Sequence, residues 1–283
     1  MKKVLEFTKM HGAGNDYIYV DTERFPVACP ERASLVLSNR HKGIGSDGLI
    51  LIGRSDAADF SMRIFNADGS EAMMCGNGAR CVGKYVYDKG LTRKTDFTLA
   101  TLSGLKRLHI SPGADGRAAA VTVGMGAPRT ADTSQCAAPE GRIVEGAVEA
   151  GGRQFTGTFV SMGNPHFVIF CDDAATRDIT ADGPLLERAT AFPERCNIEF
   201  ATLRADGSLR VRVWERGSGV TMACGTGACA VAVAAFLTGR SGRTVDIAMD
   251  GGDLHAEWDE ATDEVFLSGP AEIVFEGRVE IDD

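Results

Sequence analysis

Two short stretches decide the fold: CGNGA at residues 75–79 and CGTGA at residues 224–228. They are nearly the same motif, 149 residues apart, and the same offset places the Gly-Asn pair at 14–15 on the Gly-Asn pair at 163–164. One such match can arise by chance, but several matches at a single offset indicate two copies of one unit. Because there are only two copies and the period is long, we expect two pseudo-symmetric domains and not a repeat array.

Each copy has the pattern of several strands followed by one helix. Residues 17–20, 49–52 and 61–65 are short β-rich runs, which are typical of strands. The segment 228–237 is apolar on every face, which is typical of a buried helix, and Gly239 suits its C-terminal end. The predicted fold class is α+β: in each domain a mostly antiparallel sheet wraps around a central helix, and the active site lies in the cleft between the domains.

The turn-rich region near residues 124–129 is the expected boundary between the copies. We predict an N-terminal domain over residues 1–126 and a C-terminal domain over residues 127–270. The last strand, within residues 271–283, is expected to return to the N-terminal domain.

The composition and charge of the chain argue against several classes of function. The 283 residues are 44% hydrophobic and 24% charged, with a net charge of −9, so no basic face for nucleic acid is expected. No apolar run reaches the ~18 residues of a membrane span. The N-terminus lacks the apolar segment of a secretory signal, so we expect a cytoplasmic protein whose eight cysteines are thiols. Without a C-x-x-C pair, no metal site is expected.

The two motif cysteines, Cys75 and Cys224, each precede a Gly-rich turn into a helix. The positive end of the helix dipole should lower the pKa of such a thiol, and the free backbone N–H groups can hold a carboxylate. Two domains that oppose these thiols across a cleft would allow one to remove a proton from a carbon and the other to return a proton to the opposite face. This pattern predicts stereoinversion by two thiols. No cofactor is needed, and after Lys106 the chain has no lysine that could form a Schiff base with pyridoxal phosphate.

Further motifs lead to a family. They are HGAGND at 11–16, NADGS at 66–70, GNPH at 163–166, PERCN at 193–197 and WERG at 214–217. With the two cysteine motifs, they make nearly the whole chain resemble the diaminopimelate epimerases, cofactor-independent two-cysteine enzymes of bacterial lysine biosynthesis. The implied reaction converts LL-2,6-diaminopimelate into meso-diaminopimelate, and a homodimer is also implied.

The resemblance implies a role for each matching residue. Cys75 and Cys224 would be the acid–base pair, with His166 and Glu215 orienting the substrate and supporting proton transfer. The substrate α-carboxylate would receive backbone N–H groups from two helix starts, at Gly76-Asn77 and Gly225-Thr226. The substrate's other polar groups would be bound by Asn15, Asn66, Asn164, Asn197, Glu215 and Arg216, which together offer donors and acceptors.

Three positions depart from some family members. Gly48 stands where some have a glutamine that touches substrate, and Phe275 stands where some have a tyrosine linked to dimerisation. Cys196 precedes Asn197 where other small residues are common, which predicts a third thiol near the site.

Alternative functions remain open on the sequence alone. A two-thiol racemase of the same architecture could act on proline, hydroxyproline or histidine, but a smaller substrate would need fewer distal polar contacts. A fold relative that uses a carboxylate base is disfavoured because both thiols are present. A thiol redox sensor is a different class, in which Cys75 and Cys224 would form a disulfide.

Overall fold

The structure, a computed structural model, describes residues 2–282 of the chain. These residues form two compact units. One contains the described residues up to Val123 together with those from Ser268 onward, and the other spans Gly124–Leu267.

The first half of the chain contains eight strands and two helices among the described residues: β1 (Lys2–Gly12), β2 (Asn15–Asp21), α1 (Pro30–Leu37), β3 (Gly48–Gly53), β4 (Phe60–Asn66), β5 (Glu71–Ala72), α2 (Gly76–Asp88), β6 (Asp96–Thr101), β7 (Gly104–Pro112) and β8 (Ala118–Gly126). After a short 3-10 turn at Pro139–Gly141, the remaining elements are β9 (Gly146–Ala150), β10 (Arg153–Ser161), β11 (Pro165–Phe170), α3 (Ile179–Glu187), β12 (Asn197–Leu203), β13 (Leu209–Glu215), β14 (Gly219–Thr221), α4 (Gly225–Leu237), β15 (Thr244–Met249), β16 (Gly252–Trp258), β17 (Val265–Gly269) and β18 (Glu272–Asp282).

In the first unit the strands pair in the order β18-β1-β2-β3-β4-β6-β7-β8. The pairs β2/β3 and β4/β6 are parallel and the others in this order are antiparallel, while β5 lies antiparallel beside β4. β1 and β2 form a hairpin with a two-residue loop, in which Gly12 faces Asn15. Ala13 and Gly14 both have positive φ there, as the tightest hairpin turns require.

The second unit repeats this topology. Its strands pair in the order β9-β10-β11-β12-β13-β15-β16, with β11/β12 and β13/β15 parallel and β14 beside β13. Strands β10 to β16 therefore correspond one by one to β1 to β7, and α4 corresponds to α2. The first strand of each copy, β1 or β10, pairs with one further strand at the edge of the sheet. For β10 this strand is β9, which directly precedes it, whereas for β1 it is β18, from the other end of the chain. The predicted α+β class, with a mostly antiparallel sheet and a central helix in each of two copies, is confirmed, and two strand pairs in each sheet are parallel.

The central strands are buried on both faces, which explains why they read as continuous apolar runs. In β3, Leu49 and Leu51 belong to a cluster that also contains Leu37 of α1. Ile50 points to the opposite face and lies under the first turn of α2. A Cβ built on Gly78 of that turn would come within 2.7 Å of Ile50 Cδ1. Each sheet is thus covered by the central helix on one face and by a shorter helix on the other.

The central helix α4 is the most apolar element of the second unit. Its 13 residues carry no charge, and ten of them are buried. Such a helix gains its stability from packing against the sheet. Among the helices of residues 2–282, none combines the length and the apolar character that a membrane crossing requires.

The short helices α1 and α3 were not predicted. Each spans fewer than ten residues, too short for a clear helical period. α3 also contains Gly183 and Pro184, which are both poor helix formers. Gly183 is required by packing, because an added Cβ would lie 2.4 Å from the Cγ atom of Trp214.

Gly48 begins β3 in a place with no room for a side chain. A Cβ there would lie 2.1 Å from the backbone oxygen of Phe65 on the neighbouring strand β4. With this backbone, a glutamine at this position could not be accommodated without moving the two strands apart.

We predict that Gly48→Ala lowers the free energy of unfolding by about 1–3 kcal/mol, the usual cost of forcing atoms into a packed interior. Urea denaturation followed by circular dichroism would measure it. Gly242→Ala is the matched control, because a Cβ at Gly242 meets no atom within 4 Å. Equal stability of the two variants would contradict the prediction.

Candidate active site

Cys75 is the N-cap residue of α2. Its backbone is extended, with φ −140° and ψ 116°, and its side chain turns back over the first helical turn. The backbone N–H of Gly78 donates a hydrogen bond to Cys75 Sγ over 3.3 Å. The thiol therefore occupies the position that Ser or Asp occupies in an ordinary helix cap, next to the positive end of the helix.

Asn15 is held against this thiol by an acidic residue. Cys75 Sγ donates to Asn15 Oδ1 over 3.2 Å, and Asn15 Nδ2 donates to Asp47 Oδ2 over 2.7 Å. Asp47 in turn accepts from Arg40 at 2.9 Å. Because a carboxylate only accepts hydrogen bonds, Asp47 fixes the Asn15 amide with its oxygen toward the sulfur.

Tyr17 lies near the Cys75 sulfur as well. It is buried on β2, two residues after Asn15, at the position equivalent to His166 in the second unit. Burial raises the pKa of the Tyr17 phenol well above its usual value, and the nearby Cys75 and Asp47 act in the same direction. The phenol is therefore a neutral neighbour of the Cys75 sulfur at physiological pH.

Asn66 and Asn77 have different surroundings. Asn66 lies at the end of β4, partly exposed, where its Nδ2 donates to Ser70 Oγ at 3.0 Å. Asn77 is buried and accepts from the Nη2 of the equally buried Arg80 at 2.8 Å. The Asn77 side chain is therefore bound to Arg80 within α2. The groups of Gly76 and Asn77 that suit an anion are their backbone N–H groups at the helix start.

Cys224 occupies the equivalent position at the start of α4. Its backbone is again extended, with φ −120° and ψ 115°, but its side chain is more buried than that of Cys75. Cys224 Sγ lies 3.4 Å from Thr226 Oγ1, on the second residue of the helix. A Cβ on Gly227 would come within 2.7 Å of Glu199 Oε1, so a carboxylate lies where the first unit has Ile50.

A chain of hydrogen-bonding groups runs from this carboxylate to the thiol. His166 Nδ1 lies 2.7 Å from Glu199 Oε1, and His166 Nε2 lies 3.2 Å from Asn164 Oδ1. Asn164 Nδ2 donates to Thr226 Oγ1 over 3.3 Å, and Thr226 contacts Cys224. His166 and Glu199 are both fully buried. The structure thus brings the predicted residues Asn164, His166, Thr226 and Cys224 together.

The thiol of Cys224 differs from the expectation for a helix start. Burial raises its pKa well above the ordinary value, and the charges of Glu215 and Glu199 raise it further. Thr226 and the Gly227 backbone oppose this effect but do not outweigh it. The prediction of a lowered pKa is therefore wrong for Cys224, because desolvation and two carboxylates together exceed the effect of the helix dipole.

Asn197, Glu215 and Arg216 form a neighbouring group. The Asn197 amide bonds the backbone at both ends: Nδ2 donates to Pro165 O at 2.9 Å, and Oδ1 accepts from Arg216 N at 2.9 Å. Asn197 thereby fixes the loop that carries Arg216, whose Nη1 donates to Glu194 O. Glu215 accepts from Thr221 Oγ1 at 2.9 Å. These contacts position Glu215 and Arg216 after β13.

Asp47 and Glu199 were missed by the sequence analysis. Glu199 had a detectable signal, since it is the one acidic residue in the apolar run NIEFATL of β12, and a buried charge in a strand needs a partner. Asp47 lies in the polar loop before β3, where acidic residues are common, so nothing in the local sequence distinguished it.

Cys196 and Phe275, the two other positions that depart from the family pattern, lie away from the cysteine motifs in sequence. Cys196 is fully buried within the apolar cluster of the second unit, and burial raises its pKa well above the ordinary value. It is thus a buried thiol of the core that directly precedes Asn197. Phe275 is partly exposed on β18, with its ring edge-on to Phe7 at 5.8 Å.

The fold matches solved structures of epimerases and their relatives. The hydroxyproline epimerase of Agrobacterium vitis, solved with bound trans-4-hydroxy-L-proline, matches with a TM-score of 0.70 and 16% identity over 99% of this chain and 93% of that one. A PhzF-family phenazine biosynthesis protein of Bacillus anthracis matches with a TM-score of 0.68 and 16% identity over 99% and 100%. At this identity the likeness shows the fold alone.

Sequence comparison is more specific. The family model described as diaminopimelate epimerase matches residues 7–131 and 158–274. Proteins named diaminopimelate epimerase from Phocaeicola vulgatus and Bacteroides thetaiotaomicron are 56% and 55% identical, each over 99% of this chain and 100% of its own length. One from Methanococcus maripaludis is 46% identical over 98% of this chain and 100% of its own length. This chain belongs to the diaminopimelate epimerase family.

We predict that Cys224 in the ligand-free protein is alkylated by iodoacetamide only at alkaline pH, with a half-maximal rate above the ordinary thiol pKa of about 8.5. A raised pKa keeps the sulfur as an unreactive thiol to higher pH. Peptide mass mapping across a pH series would measure the rate, and the exposed Cys29 in the same sample would report reagent activity. A half-maximal rate near neutral pH would contradict the prediction.

Proposed function

We propose that this protein converts LL-2,6-diaminopimelate into meso-diaminopimelate without a cofactor, using Cys75 and Cys224 as a two-base pair. The observation that carries the proposal is that both cysteines cap central helices at equivalent positions of one repeated topology. Membership of the diaminopimelate epimerase family supplies the substrate.

The chemistry is proton exchange at the substrate α-carbon. A thiolate removes the α-proton from one face and becomes a thiol, which leaves a carbanion next to the α-carboxylate. The other thiol then donates its proton to the opposite face and becomes a thiolate. The carbon is inverted, one proton has left and one has arrived, and the two sulfurs have exchanged protonation states.

The environment of the two sulfurs favours one starting arrangement. The raised pKa of Cys224 keeps it protonated, so we assign it the proton-donating role in the free enzyme. Cys75 accepts the Gly78 N–H at the helix start, and the apolar Ile50 lies beneath this helical turn where the second unit has Glu199. We therefore assign Cys75 as the first base.

The carbanion needs stabilisation beyond the two sulfurs. Backbone N–H groups at the starts of α2 and α4, at Gly76-Asn77 and Gly225-Thr226, are suited to the α-carboxylate, on which negative charge develops. Diaminopimelate carries a second carboxylate and a second ammonium group. Arg216 would bind the distal carboxylate, and Asn66, Asn164, Asn197 and Glu215 supply donors and acceptors for the ammonium groups and the carboxylates.

A homodimer in the cytoplasm, with no nucleic-acid partner, is the proposed state of the protein. The net charge of −9 supports the last point, and the exposed Val274 and Phe275 on β18 are candidate contacts between copies. Sedimentation equilibrium of the protein and of a Val274→Asp variant would test the dimer. A wild-type monomer at micromolar concentration would contradict it.

The substrate is tested by solvent-deuterium incorporation at the α-carbon. Reduced protein would be incubated in heavy water with LL- or meso-diaminopimelate, and with proline and histidine as controls. We expect exchange and inversion with diaminopimelate alone, because the smaller amino acids lack the distal groups that the polar residues would bind. Exchange with proline or histidine instead would keep the two-thiol chemistry but reassign the substrate.

We also predict that Cys75→Ala and Cys224→Ala each abolish epimerisation and leave the fold intact, because each removes the proton carrier for one face. The assay is the rate of meso-diaminopimelate formation, and circular dichroism would check the fold. If either variant kept more than a few per cent of wild-type activity, the two-base mechanism would be wrong.

A further inference from the structure

The carboxylate of Glu199 is an unusual feature of the second unit. Glu199 lies on β12 with 0% of its surface exposed, and its position in the first unit is occupied by Ile50. Both residues lie directly beneath the third residue of the central helix, as the contacts of Gly78 and Gly227 show. The same place under the catalytic cysteine therefore holds an apolar side chain in one copy and an acid in the other.

Stability does not explain this acid. Removing a carboxylate from water is costly unless hydrogen bonds replace the lost hydration. Glu199 Oε1 contacts His166, but Oε2 has no hydrogen-bond partner among residues 2–282. An aliphatic residue fits the equivalent position in the first unit without this cost. A buried and incompletely satisfied carboxylate beside reactive groups is more often retained for function.

We infer that Glu199 is the positioning residue of the Cys224 half-site: it holds the His166 ring through Nδ1 and, through the ring, fixes Asn164 and Thr226 against the sulfur. The inference rests on the proposed function, since it assigns Glu199 to the proton donor of that reaction. Glu199 does not touch the reacting atoms itself but acts through His166 and through its charge.

The contacts define the direction of each hydrogen bond between Thr226, Asn164 and His166. Because Asn164 Nδ2 donates to Thr226, its Oδ1 faces the ring and can only accept, so His166 Nε2 must carry a proton. The Glu199 carboxylate holds the ring from the other side, through Nδ1. Nε2–H therefore stays directed at Asn164.

The charge of Glu199 also acts on the sulfur. Three other titratable groups face it: His166 on β11, Cys224 at the start of α4, and Cys196 just before its own strand. Glu215, at the end of β13, faces Cys224 as well. Both carboxylates disfavour a thiolate at Cys224. Glu199 therefore helps to keep Cys224 in the protonated form that donates.

The test compares Glu199→Gln with Glu199→Ile. Glutamine keeps the volume and a hydrogen bond to the ring but removes the charge, whereas isoleucine reproduces the first unit and removes both. We expect kcat for diaminopimelate to fall about tenfold or more in Glu199→Gln and further in Glu199→Ile, with a small change in KM, because an imprecisely held proton donor slows the chemical step. Glu187→Gln is the matched control for losing a buried carboxylate in this unit, since Glu187 bonds Trp214 and Gly217.

The second readout needs no turnover. In Glu199→Gln we expect alkylation of Cys224 at pH 7.5 to be about tenfold faster than in wild type, which corresponds to a pKa lower by about one unit. In Glu187→Gln the rate should not change. If Glu199→Gln changed neither kcat nor the alkylation rate, the inference would be overturned.

A third measurement uses the wild-type protein, so it remains informative if the variants do not fold. Nitrogen-15 NMR of the wild-type protein distinguishes protonated from bare imidazole nitrogens, and the chain has only five histidines to assign. We expect the ring proton of His166 on Nε2 at pH 8, and a bare Nε2 at that pH would contradict the inference. If wild type did not act on diaminopimelate, the proposed function would fail, while the alkylation and NMR results would still decide the role of Glu199 toward His166 and Cys224.

Discussion

The close approach of each central helix to the strand beneath it is the constraint on which both half-sites depend. A Cβ added at Gly78 would lie 2.7 Å from Ile50, and one added at Gly227 would lie 2.7 Å from Glu199. A Cβ at either glycine would also come close to the sulfur of the N-cap residue, 3.7 Å from Cys75 Sγ and 3.4 Å from Cys224 Sγ. The space between helix and strand is therefore filled, and in both units the N-cap residue beside it is a cysteine with an extended backbone. Packing at the third helical residue and the contacts of the sulfur itself together set the position of each thiol.

The two units use this shared geometry with different electrostatics. In the first, an acid outside the core acts through an amide: Asp47 holds Asn15, whose oxygen faces Cys75. In the second, a buried acid acts through a ring: Glu199 holds His166, which faces Asn164. Tyr17 and His166 occupy equivalent strand positions, but Tyr17 is a neutral phenol, whereas His166 is an imidazole in contact with a carboxylate. Two copies of one fold have thus kept the position of the thiol while its surroundings diverged.

Much of this architecture could be predicted from the sequence, because it follows from patterns that repeat. The offset between Cys75 and Cys224 predicted two copies, apolar runs predicted the strands, and Gly-rich turns predicted a thiol at each helix start. The short helices α1 and α3 could not be predicted, since each has too few residues for a period. The raised pKa of Cys224 depends on residues distant in sequence, Glu199 and Glu215, whose charges reach the sulfur only after folding. Asn197 could be named as a site residue from its motif. Its contacts with Pro165 and Arg216 could not be predicted, because they depend on strand register.

An asymmetric pair of sulfurs is compatible with a reaction that runs in both directions. In the proposed mechanism one proton is shared between two thiols, and each turnover moves it from one sulfur to the other. In that mechanism the form with the thiolate at Cys224 is assigned the higher free energy, because burial and two carboxylates oppose a thiolate there. A catalyst cannot change the equilibrium between its substrates, so this difference must appear in the separate values of kcat and KM for the two directions. A substrate ammonium group near Glu215 would offset part of the negative charge around Cys224. The two forms would therefore be closer in free energy with substrate bound than in the free enzyme, which is the condition under which protons can move readily both ways.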